Sequence, residues 1–315
     1  MQTILTIEAP AKINLTLDVK GKRQDGYHEL ETVMHQVNLF DRITLEARAE
    51  GIELASDSSA IPVNQENLAY KAARLILQEY GTGAGVKIFI EKNIPVGAGL
   101  AGGSTDAAAV LVGINCLYGY QLSRKQLQEL ASVIGSDVVF CLSGQYFQPR
   151  SGVLLSRGAT AIARGRGEIL DLLPGRTIPF ILIVKPDFQL STAEVYGELD
   201  LKVNKQYPNI RKFLQAWNNS DMINLSAHMA NVLETVSIRK KPEIEIIKTK
   251  MREWGALKAL MSGSGPSVFG IFLDQEVALQ AFRRFKQDYR EVYLVSSYGR
   301  GDINGREKKT ITSKS

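Results

Sequence analysis

Eleven residues, Pro95, Val96, Gly97, Ala98, Gly99, Leu100, Ala101, Gly102, Gly103, Ser104 and Thr105, lie between an apolar alternating run, Val86 to Ile90, and an alanine-rich run that begins near Asp106. Alternation with period two predicts a strand over 86–91, and the alanine run predicts a helix over 105–119. The order is therefore strand, glycine loop, helix. Glycine has no Cβ and takes positive φ, so successive N–H groups can turn toward one oxygen-rich ligand and approach it closely. The following helix adds its free N-terminal N–H groups and the positive end of its dipole, which together favour a phosphate. Ser104 or Thr105 can cap that helix or place a hydroxyl on a phosphate or on a metal held by it. The stretch reads as a polyphosphate cradle, with a plain glycine-rich connection as the bland alternative. It is not the Gly-x-x-x-x-Gly-Lys-Ser/Thr loop, because no Lys follows the last glycine.

The 315 residues, 44% of them hydrophobic, suffice for two domains with a substantial core. No apolar run approaches the ~20 residues of a membrane span, and the first eleven residues do not read as a secretory leader. With two cysteines only, Cys116 and Cys141, the expectation is reduced thiols in a cytoplasmic protein. The net charge of +5 is spread along the chain without interleaved aromatic residues, which argues against nucleic acid as partner and for a solvated surface that keeps a few cations for an anionic ligand.

Strands are expected at 3–9, 12–21, 27–38 and 42–48, helices at 66–80 and 123–133, and an apolar run at 137–143. Asp171 to Pro179, with Pro174, Gly175 and Pro179, reads as the crossing into a second unit. There strands are expected at 180–185, 257–261, 267–273 and 292–297, and helices at 192–199, 207–216, 221–235, 242–252 and 275–288. The tail 301–315 is polar and reads as mobile. The class is α+β in two lobes, an N-terminal domain over 1–172 and a C-terminal domain over 178–300, with the ligand site in the cleft between them.

Three shorter patterns carry chemistry. Pro10-Ala11-Lys12-Ile13-Asn14 places Lys12 and Asn14 on one face of a strand. Gly135-Ser136-Asp137-Val138 puts a carboxylate at the mouth of an apolar run, and Ser262-Gly263-Ser264-Gly265-Pro266-Ser267 is a second glycine and hydroxyl loop entering a strand. Each alone is ordinary: an edge lysine, a turn or capping aspartate, a turn.

In this order, together with the long glycine loop, they resemble the three motifs of the galactokinase, homoserine kinase, mevalonate kinase and phosphomevalonate kinase superfamily. Asp25-Gly26-Tyr27-His28-Glu29-Leu30, Gly135-Ser136-Asp137-Val138 and Arg164-Gly165-Arg166-Gly167-Glu168 resemble more narrowly its branch whose substrate is a cytidine-diphosphate-linked methylerythritol. The resemblance runs over about residues 4–298. It implies transfer of the γ-phosphate of ATP, with Mg²⁺, to the 2-hydroxyl of that alcohol in the non-mevalonate isoprenoid route. By the same resemblance Asp137 accepts the alcohol proton with Lys12 beside it, residues 95–105 hold the phosphates, Asn67 lines the purine pocket and Lys92 approaches the nucleotide. Asn14, Tyr27, His28, Thr192 and Tyr196 take the substrate, with Tyr27 and Tyr196 closing on the two faces of the base. The metal ligands stay open beyond Ser104 or Thr105, and the oligomeric state is expected to be monomer or weak homodimer. Rival readings are another small-alcohol kinase of the superfamily and an inactive nucleotide-binding relative. The chain departs from the pattern twice. Val139 stands where a proline is usual, and 145–158 reads as an added hairpin or flap around Pro149, Ser151 and Gly152.

Overall fold

A computed structural model describes residues 3–81, 83–148, 153–156, 158–201 and 207–299; the tail 301–315 and the centre of the added segment, 149–152, lie outside them. The chain forms two compact units that are interleaved in sequence, whereas composition suggests one crossing at 171–179. One unit takes residues 1–11, 39–96 and 101–159, the other 12–38, 97–100 and 160 onward. The physical cause is the length of the first two strands. β1 (Ile4–Lys22) and β2 (His28–Arg48) are 19 and 21 residues long and give one end to each unit. Pro10 and Asp41-Arg42 interrupt the apolar pattern and make each look like two strands, yet both run straight through.

In the first unit, β4 (Gly85–Glu91) pairs antiparallel with Arg42–Arg48 of β2 and parallel with β3 (Ile52–Ser56), a five-residue strand too short for periodicity to reveal. The helices are α1 (Leu68–Tyr80), α2 (Gly102–Tyr118), α3 (Arg124–Ile134) and α4 (Ser136–Leu142). α2 is apolar nearly all round and buried from Thr105 to Asn115, as a central helix must be. It packs closely, because a Cβ at Gly113 would overlap Leu45 Cδ1 and fall 2.5 Å from Ile7 Cδ1. Ser123 and Gln126 form a capping box that starts α3. The apolar run at 137–143 is helical, α4, a case in which a short buried run carries no period to separate helix from strand. After it, β5 (Gln145–Gln148) and β6 (Val153–Ser156) pair antiparallel as a separate two-stranded hairpin.

In the second unit, β7 (Thr160–Gly165) pairs with Leu30–His35 of β2, and β8 (Ile169–Leu172) pairs with β7. A four-stranded antiparallel sheet follows, built from β9 (Phe180–Lys185), β10 (Lys258–Met261), β11 (Val268–Phe272) and β12 (Glu291–Val295) in the order β10-β11-β9-β12. Six helices accompany it among the described residues: α5 (Thr192–Gly197), α6 (Ile210–Asn218), α7 (Met222–Ala227), α8 (Glu234–Lys240), α9 (Glu243–Glu253) and α10 (Gln275–Asp288). The sheet buries Leu182, Val184, Val268 and Phe272 against Ile247 and Met251 of α9 and Phe285 of α10. The single helix expected at 221–235 is broken, with 228–233 crossing to β1, where Asn231 bridges Leu17. No described helix is long and apolar enough to cross a membrane.

Candidate active site

The glycine loop has the left-handed backbone its composition calls for, at Gly97 (φ 65°), Gly99 (φ 74°) and Ala101 (φ 61°). α2 begins at Gly102, three residues before the expected start, so Gly102 and Gly103 are helical and supply no positive φ. This corrects the capping role expected of Ser104 and Thr105. The N-cap is Ala101 and the first turn has no side-chain cap, which leaves its N–H groups to an anion. Ser104 is half-buried; Thr105 is buried, and its Oγ1 has no hydrogen-bond partner among the described residues. Gly97, Gly99 and Gly102 also have the Gly-x-Gly-x-x-Gly spacing of a dinucleotide loop. Here, however, α2 leads into α3 and α4 and not into a strand parallel to β4, so the βαβ context of that motif is missing.

Gly97–Leu100 is held by the other two motifs. Lys12 N–H donates to Leu100 O (3.1 Å), Ser267 N–H to Ala98 O (3.4 Å) and Ser262 Oγ to Gly99 O (2.9 Å). The backbones approach so closely that a Cβ at Gly99 would overlap the Ser262 carbonyl oxygen and stand 3.0 Å from that of Gly265. Lys12 and Asn14 do share a face, with Lys12 Nζ donating to Asn14 Oδ1 (2.9 Å) and Asn14 Nδ2 to Thr32 Oγ1 (2.8 Å), all three residues buried. Asp137 stands half-buried in the first turn of α4.

The structure gives two of the expected nucleotide residues local partners. Asn67 is the N-cap of α1: its Oδ1 accepts from Ala69 N–H (2.9 Å) and its Nδ2 donates to Pro62 O (2.7 Å). The Lys92 side chain is buried, with its ammonium on Asp41 Oδ2 and on Asp106 Oδ2 (3.1 Å). Asp41 Oδ1 also accepts from the N–H groups of Asn93 (2.6 Å) and Ile94 (2.8 Å). Burial works against the Lys92 charge, yet Asp106 and Asp41 hold its pKa above the ordinary lysine value. Burial, reinforced by Asp41, pushes the Asp106 carboxyl well above its ordinary range against the pull of Lys92. A Cβ at Gly102 would stand 3.0 Å from Lys92 Nζ, so this cluster underlies the first residue of α2. Asp41 and Asp106 are the partners of Lys92 that sequence reasoning missed. Asp106 sits in the motif itself, but Asp41 is 51 residues from Lys92 and carries no signal of its own.

At the β1–β2 turn, Gly26 takes φ 84° and Asp25 Oδ1 accepts from Tyr27 N–H (3.1 Å), a tight turn that leaves the Tyr27 side chain exposed. Tyr196 lies against His28, ring centroids 5.3 Å apart and planes at 35°, while the Arg166 guanidinium lies 5.1 Å from the centroid of the Tyr27 ring. The two tyrosines are thus each partnered by a different ring or cation. Burial, with the Lys22 charge, pushes the His28 pKa below its ordinary value, leaving a neutral imidazole at pH 7 that can both donate and accept. Thr192 begins α5, and its Oγ1 is 2.9 Å from Ser264 Oγ of the third motif.

Comparison with known proteins shows the family of the chain. Models of the GHMP kinase N-terminal and C-terminal domains match residues 67–145 and 201–291. The chain is 60% identical over 298 residues to the 4-diphosphocytidyl-2-C-methyl-D-erythritol kinase of Syntrophomonas wolfei, covering 95% of this chain and all of the relative. It is 44% identical to that of Alkaliphilus metalliredigens over 93% of this chain and 97% of the relative. A crystal structure of a 4-(cytidine 5'-diphospho)-2C-methyl-D-erythritol kinase superposes with a TM-score of 0.77 at 34% identity, covering 93% of this chain and 98% of that one. Homoserine kinase from Cytophaga hutchinsonii, 20% identical with a TM-score of 0.72 over 95% of this chain and 97% of that one, shares the fold. The glycine loop, the buried lysine strand and the serine loop that seats Gly99 are thus framed by similarity along nearly the whole chain, and the chain belongs to the 4-diphosphocytidyl-2-C-methyl-D-erythritol kinase family of the GHMP kinases.

Proposed function

We infer that this chain is the ATP-dependent kinase that phosphorylates the 2-hydroxyl of 4-diphosphocytidyl-2-C-methyl-D-erythritol, a step of the non-mevalonate route to isoprenoid precursors. The observation that carries the reading is 60% identity over the full length of a kinase of that name. The loop geometry supports it from below, since an uncapped helix N-terminus behind three left-handed residues suits a triphosphate. Phosphoryl transfer asks a protein mainly to position its reactants and to neutralise charge. Asp137 accepts the proton of the attacking alcohol, Lys12 supplies positive charge to the reacting oxygens, and Asn14 orients Lys12. Pro95 to Thr105 wrap the phosphates. Asn67 serves the purine pocket by shaping the start of α1, and Lys92 serves the loop from beneath. Tyr27 offers its exposed ring to the cytosine, and His28, Tyr196 and Thr192 complete that pocket.

Mg²⁺ neutralises phosphate charge when bound. Among the described residues no three His, Cys, Asp or Glu side chains converge on a metal. The donors that fit an ion arriving with the nucleotide are Ser104 and the unpartnered Thr105 hydroxyl in the first turn of α2. The buried Cys141 and half-buried Cys116 thiols suit the reducing cytoplasm, and the oligomeric state we infer is monomer or weak homodimer.

The test is a phosphate-transfer assay with ATP, Mg²⁺ and a panel of alcohols with and without the cytidyl group. Turnover confined to the cytidyl alcohol is expected; equal turnover of homoserine or mevalonate would move the chain to another branch of the superfamily.

A further inference from the structure

The third motif is anchored by side chains that belong to no motif. Asn231 lies in the crossing between α7 and α8, bridged to Leu17 of β1 by Leu17 N–H donating to Ala230 O (2.9 Å) and Val232 N–H to Leu17 O (3.0 Å). Its Nδ2 donates to both Met261 O and Gly263 O, each at 2.8 Å, and its Oδ1 accepts from Leu233 N–H (3.0 Å), so every polar atom of this buried side chain is used. One turn on, Glu234 Oε1 accepts from Met261 N–H (2.7 Å) while its Oε2 pairs with Lys248 of α9 (2.8 Å). Ser237 Oγ donates to Ser264 O (3.2 Å). Three side chains on successive turns thus grip both backbone groups of Met261 and the carbonyls of Gly263 and Ser264.

The gripped segment is the one that seats Gly99, through Ser262 Oγ and the close approach of the Ser262 carbonyl. A Cβ at Gly263 would stand 3.4 Å from Gly99 O and 3.5 Å from Asn14 Oδ1, so the same loop borders the lysine strand. A buried carboxylate and a buried amide are costly to desolvate and are stable only with partners, which makes this clamp a rigid, two-sided constraint and not a loose contact. We propose that Asn231 and Glu234 are positioning residues for phosphoryl transfer, which hold the Ser262–Gly265 turn so that it fixes Gly99 in the conformation that receives the nucleotide phosphates. The proposal rests on the kinase reading for the identity of the ligand and on geometry for everything else.

The test measures nucleotide affinity directly, by calorimetry with a non-hydrolysable ATP analogue, alongside turnover and thermal stability. Asn231→Asp keeps the acceptor for Leu233 N–H but replaces the donor to Met261 O and Gly263 O by an oxygen. Ser262→Ala removes only the link to Gly99. Each is expected to weaken the analogue roughly five- to tenfold, the size of one net hydrogen bond. In the double variant the loss should be no larger than in either single variant, because both cut one relay. Glu234→Ala should behave like Asn231→Asp, whereas Glu234→Gln, which keeps an acceptor for Met261 N–H, should restore near-wild-type affinity. Stability losses with unchanged analogue affinity, or losses of affinity that multiply in the double variant, would overturn the proposal. The contrast of Glu234→Ala with Glu234→Gln, read beside Ser262→Ala, decides it even if Asn231→Asp does not fold. A wild-type protein that binds the analogue but transfers no phosphate would defeat the kinase reading and leave the relay testable by affinity.

Discussion

Replacing Lys92 by Met separates two roles that one lysine near a glycine loop could have. Its side chain is 5% exposed and sits between Asp41 and Asp106 at 0% and 3%. Met keeps most of the volume and removes the charge, so two carboxyl groups remain in a site without solvent or cation. Removing one partner of a buried pair costs about 3–5 kcal/mol, a large part of the roughly 5–15 kcal/mol that holds a domain together. The Asp106 pKa, already raised by burial, rises further as one carboxyl takes up a proton, which places the expected loss at the lower end of that range. Urea denaturation at pH 7 should therefore show a midpoint well below wild type with an unchanged slope, and the ATP KM should rise only modestly as the first turn of α2 loosens. The pH dependence is fixed in sign. Folding raises the Lys92 pKa, so its contribution is fully present below about pH 10.5, the ordinary lysine value, and is lost as pH climbs through the higher folded value. The advantage of wild type over Lys92→Met should shrink in that alkaline window and not at neutral pH. An unchanged denaturation midpoint together with a tenfold or greater rise in ATP KM would refute the argument and put the ammonium on the nucleotide.

The remaining expectations are more briefly derived. Asp106→Asn should cost less stability than Lys92→Met, because burial already raises the Asp106 pKa and Asp41 still pairs with Lys92. Folding raises that pKa, so the Asp106 contribution is complete below pH 3.8 and falls as pH rises, and Asn should gain on Asp in that direction in chemical denaturation. Gly99→Ala should cost ATP affinity steeply, since the left-handed backbone alone costs about 1–2 kcal/mol and the new methyl meets the Ser262 carbonyl. Gly103→Ala, where only Leu68 Cδ1 lies within reach at 3.6 Å, should leave the affinity near wild type; equal losses in a binding titration would contradict the geometry. Asp137→Asn should lower kcat by roughly 10²–10⁴ with both substrates still bound, and near-normal turnover would remove Asp137 as base. Tyr27→Ala should raise the KM of the cytidyl substrate roughly ten- to a hundredfold, as expected from a stacked base at ~1–3 kcal/mol; a rise in the ATP KM instead would show that the two pockets are interchanged.

What could be read from the residues alone was whatever depends on neighbours in the chain. Positive φ at Gly97 and Gly99 follows from a steric rule that needs no partner, and the strand before the loop and the amphipathic helix Gln275–Asp288 follow from periodicity within their own spans. Lys12 and Asn14 share a face because side chains alternate along any strand. The motif order was enough to reach the kinase family. Tertiary structure decided what depends on distant residues. It started α2 at Gly102, because tight packing of that helix and a left-handed Ala101 outweigh the helix-breaking tendency of two glycines. It made the short apolar run after Gly135 a helix, and it carried β1 and β2 through Pro10 and Asp41. Lys92 was placed on Asp41 and Asp106, Arg166 over Tyr27, and the clamp of Asn231 and Glu234 on a loop some 30 residues away, and none of these pairings has a local signature. A buried charge or amide takes whichever partner the fold brings to it, and that choice is made by packing across the whole chain, which no window of sequence contains.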